Sequence, residues 1–93
     1  MDALREIAHL LTFGAEKYGD DNWTQGAAWS RYFDALLRHL TAWWGGEDKD
    51  EETGRSHLAH AGCCLLFLLA YELRASGRDD RPRRPKLGER SRA

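Results

Sequence analysis

Between Ser56 and Gly77 lies a helical segment with almost no polar face, and it constrains this chain more than any other feature. Ser56 is placed to cap it, and the spacing predicts a helix from His57 to about Arg74. Leu58, Leu65, Leu66, Phe67, Leu68, Leu69 and Leu73 spread around its whole circumference. A helix that is apolar on every side has to be buried on every side. Ninety-three residues make one domain, and a domain of this size buries only roughly 60–65% of its unfolded surface. Two further short helices cannot cover such a segment, so the expectation is a homo-oligomer, a dimer or higher. The longest apolar run, Ala61 to Leu69, is far shorter than the roughly 20 residues that span a bilayer, so no membrane partner is expected.

The rest of the chain supplies two shorter amphipathic helices. Leu4, Ile7, Ala8, Leu11 and Ala15 recur at helical spacing from Asp2 to about Lys17, with Asp2 as N-cap and Gly19 as the stop. After a loop over 20–28, Phe33, Leu36, Leu37, Leu40 and Trp44 form one apolar stripe of a second helix, with Ser30 as a candidate cap and Gly45-Gly46 as the end. Arg31, Asp34 and Arg38 fall on its polar side, and Tyr32, His39 and Trp43 on a third, aromatic flank. The expected fold is therefore all-α, a three-helix protomer completing a bundle by self-association, with domain 1–75 followed by a tail. Residues 76–93 are Arg-, Asp-, Pro- and Ser-rich, and are expected to be a disordered basic tail.

Charge follows the same division. Residues 1–75 carry seven Lys/Arg against twelve Asp/Glu, net -5, whereas 76–93 carry seven against three, net +4. An acidic body does not recruit nucleic acid, which is not expected as a partner. If it handles phosphates, divalent cations must bridge the like charges. Cys63 and Cys64 are neighbours about 100° apart on a helix, poorly placed to bond to each other, and they fit small buried hydrophobes of a reducing compartment. No basic region precedes an apolar run at Met1-Asp2, so a cytoplasmic location is expected.

Candidate chemistry collects around the acidic loop 47–52. Glu47 and Asp50 are hard oxygen ligands suited to Mg²⁺ or Mn²⁺. His57 and His60, three apart, share a face in the first turn of the third helix, where the dipole favours anions. Ala61 and Cys64 below them leave room for a ligand. The same pattern also fits a solvated acidic loop with capping histidines. A calcium loop is excluded, because its required Gly and Glu positions hold Thr53 and Ala59. Asp34 and Arg38 have the spacing of an ion pair, or Asp34 is a third carboxylate for a metal. His39 fits a packed, hydrogen-bonded residue better than a base. Lys17, Asn22 and Trp23 are placed to meet a phosphate and a nucleobase, or simply to order a loop.

The motifs occur together in one order: Thr12-Phe13-Gly14-Ala15-Glu16-Lys17-Tyr18-Gly19, Asn22-Trp23, Asp34 through Arg38-His39, Gly46-Glu47-Asp48, Asp50, and His57-Leu58-Ala59-His60-Ala61. Over roughly residues 4–74 the chain resembles the phage-type dATP/dGTP diphosphohydrolase N-terminal domain family, relatives of the MazG-like all-α nucleoside triphosphate pyrophosphatases. The resemblance implies a phage protein of the host cytoplasm, oligomeric and Mg²⁺- or Mn²⁺-dependent. Its expected activity is cleavage of a purine deoxynucleoside triphosphate to monophosphate and pyrophosphate. On that basis Asp34, Glu47 and Asp50 are expected to hold metal. Lys17 and Arg38 would face phosphate, Asn22 and Trp23 the base, and Asp34, Arg38, His57 and His60 would make up the catalytic set. The better-known MazG-like enzymes carry Glu-x-x-Glu and Glu-x-x-Asp on successive helices, whereas this chain has Asp34…Arg38 and His57…His60. A non-catalytic nucleotide-binding protein on the same fold is the alternative expectation.

Overall fold

The computed structural model describes residues 1–18 and 27–82, apart from the side chains of 13–18. Among these residues the architecture is all-α: α1 (Asp2–Tyr18), α2 (Trp29–Trp44) and α3 (His57–Arg74), with only isolated bridges besides. α2 and α3 form an antiparallel hairpin. Near its open end Tyr32 packs against Phe67 and Tyr71, and near its loop His39 packs against His57 and His60. α1 lies on α3, where Leu10, Ala59 and Cys63 form a small core flanked by Ile7 and Phe67. Small residues set this approach. A Cβ on Gly62 would stand 2.7 Å from Ile7 Cδ1, and the Cys63 thiol reaches the Ile7 carbonyl at 3.6 Å.

α2 is not packed through its apolar stripe. Phe33, Leu37 and Trp44 are 50%, 46% and 83% exposed, and the aromatic flank carrying Tyr32 and His39 faces α3 instead. The reason lies in α3, whose buried positions are His57, Ala59, Ala61, Cys63, Cys64 and Tyr71, while Leu65, Leu66, Leu69 and Leu73 stay outside. Small side chains permit close helix approach, and the rings of α2 fill what remains. Tyr71 is completely buried, and desolvation together with Tyr32 pushes its phenol up to about 12.

The helix ends correct three expectations. Ser56 does cap α3, its Oγ accepting from the Leu58 amide at 3.1 Å. α3 stops at Ala75, which takes the left-handed conformation (φ 53), and not at Gly77. Gly77, also at positive φ, lets the chain double back, since a Cβ there would meet Trp29 Nε1 at 2.9 Å and the Ala27 carbonyl at 3.1 Å. Residues 76–82 consequently form a strap over the start of α2 and are not part of a disordered tail; residues 83–93 lie outside the described residues. Trp29 N donates to the Arg78 carbonyl (2.9 Å), Arg78 N to the Ala27 carbonyl (3.0 Å), and Trp29 Nε1 to the Ser76 carbonyl (2.9 Å). Arg81 lies 4.8 Å over the Trp29 ring. Ser30 is not the N-cap of α2. Ala28 holds that position without a side-chain bond, and Asp80 of the strap accepts from both the amide and the hydroxyl of Ser30. A carboxylate at this helix start also meets the positive end of the dipole.

Candidate functional site

The loop between α2 and α3 is folded into a tight ribbon. Glu47 N donates to the Ala42 carbonyl (3.0 Å), His57 N to Asp48 (2.9 Å), Asp50 N to Arg55 (2.9 Å) and Gly54 N back to Asp50 (2.8 Å). Asp50 Oδ1 accepts from the amides of Glu52 (3.0 Å) and Thr53 (3.1 Å). Desolvation pushes the Asp50 carboxyl up, but these amides and the nearby His60 and His39 outweigh it, and the net shift is downward. Arg55 reaches Glu6 at 3.1 Å and so ties the ribbon to α1.

This ribbon closes over three histidines. His39 and His57 are buried, and their Nδ1 atoms stand 2.9 Å apart, so one imidazole donates and the other accepts. The His60 ring stacks on His39 with centroids 4.6 Å apart, while its Nε2 bonds Thr53 Oγ1 at 2.7 Å and faces Asp50 Oδ1 at 3.9 Å. His57 Nε2 is buried and makes no hydrogen bond, and the Glu47 carboxylate lies 3.2 Å away on the rim. Desolvation, reinforced by the charges of His60, Arg38 and His57, lowers His39 to about 4. Desolvation also lowers His60, against the pull of Asp50. His39 and His60 are thus held toward neutral imidazole, which is the form that binds metal.

The ligand atoms of His39, Asp50 and His57 all lie within 4.8 Å of one another. Of the residues named from sequence, Asp50 and His57 are thus brought together, with His60 and Glu47 beside them. Asp34 is exposed on α2 and stands outside this group. Arg38 is exposed too, yet its charge bears on both His39 and Cys64, which places it on the flank of the cluster. The side chain of Lys17, and Asn22 and Trp23 altogether, lie outside the described residues. His39 is the residue that sequence reasoning set aside. Its available signal was position: a short connection folds the last turns of α2 onto the first turn of α3, so a histidine there meets His57.

The donor set can be weighed against the expected ion. Magnesium demands near-octahedral oxygen ligation and gives up water reluctantly. Two buried imidazoles and one carboxylate do not fit it. A groove of about 470 Å³ lined by Trp29, Phe33, Leu65, Leu68 and Leu69 lies at the other end of the hairpin and is apolar, so it adds nothing to this chemistry. Among the described residues no helix is long and apolar enough to cross a membrane.

A helical hairpin that buries histidines against loop carboxylates defines a class: an all-α domain with a cluster that could hold a cation. The comparisons with known proteins narrow the class to a family. The family described as "dATP/dGTP diphosphohydrolase, N-terminal" matches residues 1–81, and the chain belongs to it. A protein of Salmonella phage PMBT28 named dATP/dGTP diphosphohydrolase is 43% identical over 63 residues, which cover 68% of this chain and 21% of that relative. The matched stretch is thus about a fifth of the relative's length. No solved structure matches the chain.

Proposed function

We propose that this chain serves a nucleotide diphosphohydrolase that converts a purine deoxynucleoside triphosphate, dATP or dGTP, to its monophosphate and pyrophosphate. The anhydride between the α and β phosphates breaks, and water supplies the new oxygen. The observation that carries the reading is the buried His39–His57–Asp50 cluster, sited at the start of α3 in a member of this family. Phosphoryl transfer depends on positioning and charge neutralisation more than on covalent chemistry. Arg38, beside the cluster, is the cation for phosphate oxygens, and Lys17 is a second. His60, whose Nε2 already exchanges a hydrogen bond with Thr53 Oγ1, is the group able to hold a proton near Asp50. Asn22 and Trp23 contact the base. Mg²⁺ or Mn²⁺ is the proposed cofactor, and a divalent ion supplies charge neutralisation of the triphosphate when bound. That ion comes with the triphosphate, and Glu47 on the rim is its carboxylate, with Asp34 a more distant second.

The same reading includes self-association through the exposed leucines of α3. Wild type is expected to sediment as a dimer or larger, and Leu66→Glu with Leu69→Glu as a monomer. A wild-type monomer at micromolar concentration overturns this part.

The decisive assay measures pyrophosphate release from each dNTP and NTP with Mg²⁺ or Mn²⁺, alongside thermal shift. Turnover of dATP or dGTP that is lost in Asp50→Asn and Arg38→Ala supports the diphosphohydrolase. A thermal shift without turnover under either metal replaces it with a nucleotide-binding role.

A further inference from the structure

We propose that His39, His57 and Asp50 form a site for a single first-row transition-metal dication of the zinc class, distinct in chemistry from the hard ion that a nucleotide triphosphate carries. The inference rests on the same cluster as the diphosphohydrolase reading but not on its activity. Three observations converge on it. The ligand atoms of the three residues already lie within 4.8 Å of one another, and an ion about 2.0–2.1 Å from each would hold them roughly 3.3–3.5 Å apart, so the widest separation has to close by at most about 1.5 Å. The Nδ1 atoms of His39 and His57 meet at 2.9 Å around one shared proton. An ion that takes the proton's place needs those nitrogens to separate by only a few tenths of an ångström. Finally, His57 is 5% exposed, and its buried Nε2 faces the Glu47 carboxylate at 3.2 Å.

The group facing that nitrogen is the Glu47 carboxylate at 3.2 Å, on the side of the ring away from Nδ1. Ligating imidazoles direct their other N–H at a carboxylate, which fixes the tautomer and raises the basicity of the bound nitrogen. His57 held by Glu47 at Nε2 and by the ion at Nδ1 reproduces that pattern. Asp50 is pre-set for its role by the two amide hydrogen bonds that fix Oδ1. His60, stacked flat on His39, limits how that ring can turn.

Ligand type then selects the ion. Imidazole favours zinc, cobalt, nickel and iron over magnesium and calcium, and two imidazoles with one carboxylate and an open position is a known zinc arrangement. The test uses the full chain freed of metal by a chelator and then dialysed against Co²⁺ or Zn²⁺, with no nucleotide present. One metal per chain is expected by elemental analysis, with Co²⁺ giving the strong visible absorption of a low-coordinate site. Zn²⁺ should displace it, and Mg²⁺ in large excess should not. Asp50→Asn, which keeps the accepting oxygen of the turn, and His39→Gln should each weaken binding about tenfold or more, while His9→Gln on the exposed side of α1 should not. Far-ultraviolet circular dichroism separates lost ligands from lost fold. Absent stoichiometric binding, equal competition by Mg²⁺, or unchanged affinity in folded Asp50→Asn and His39→Gln overturns the site. Binding without turnover of any nucleotide leaves this site standing and removes the diphosphohydrolase reading instead.

Discussion

The two ends of the α2–α3 hairpin invert each other. At the loop end polar rings are buried, His39 and His57 at 7% and 5% exposure. At the other end large apolar side chains are open, with Leu65 at 57%, Leu69 at 47% and Leu73 at 76% around the fully buried Tyr71. Burying imidazoles costs desolvation, and leaving leucines in water forgoes their transfer free energy, so neither end is arranged for the stability of one isolated chain. The loop end makes sense as a place where ligation or proton chemistry is needed. The open end is the surface proposed above for self-association.

Four measurements test this contrast. The largest effect is expected at the open end, where Tyr71→Ala removes a completely buried large side chain and should cost about 3–5 kcal/mol in denaturant unfolding. A loss under about 1 kcal/mol would mean that the open end has no core of its own. The loop end is probed by pH in the metal-free protein. His39 titrates at about 4 when folded against 6.5 when unfolded, so the unfolded chain binds more protons between these values. Stability should therefore be complete above about pH 6.5 and fall by roughly 3 kcal/mol as pH drops through 4. His39→Gln should flatten that part of the curve, and an unchanged slope would place the acid sensitivity elsewhere.

Smaller changes test the connections between the two ends and their surroundings. Gly77→Ala puts a Cβ at positive φ against Trp29 and Ala27, and should cost about 1–3 kcal/mol by loosening the strap without touching the histidines. The smallest term is the half-exposed Glu6–Arg55 pair between α1 and the loop ribbon. A double-mutant cycle with Glu6→Gln and Arg55→Met should return less than about 1 kcal/mol.

The elements were legible because local signals agreed with one another. Asp2, Ser56 and Gly45-Gly46 mark helix bounds that the structure keeps within a residue or two. The faces were harder to read. Periodicity in α2 picks out Phe33, Leu37 and Trp44, but which side packs depends on how closely α3 approaches, and its small residues let the Tyr32–His39 flank in. Composition also misled at 76–82, because one tryptophan and one carboxylate reached across fifty positions, Ser30 to Asp80, outweigh a polar sequence. In the site, Asp50, His57 and His60 stood out by spacing within one stretch. His39 did not, since its partners come from the next helix, and only the fold brings them to it.

The strap has a consequence for how this hairpin opens. Joined at one end by the loop ribbon and at the other by the pairing of Ala28 with Arg78, α2 and α3 form a closed ring of chain. A helix start ordinarily frays, but here the amides of Trp29 and Ser30 are tied to Arg78 and Asp80. Their hydrogen exchange should be slow and should match that of the α3 interior, because releasing either end requires the ring to open as one cooperative unit.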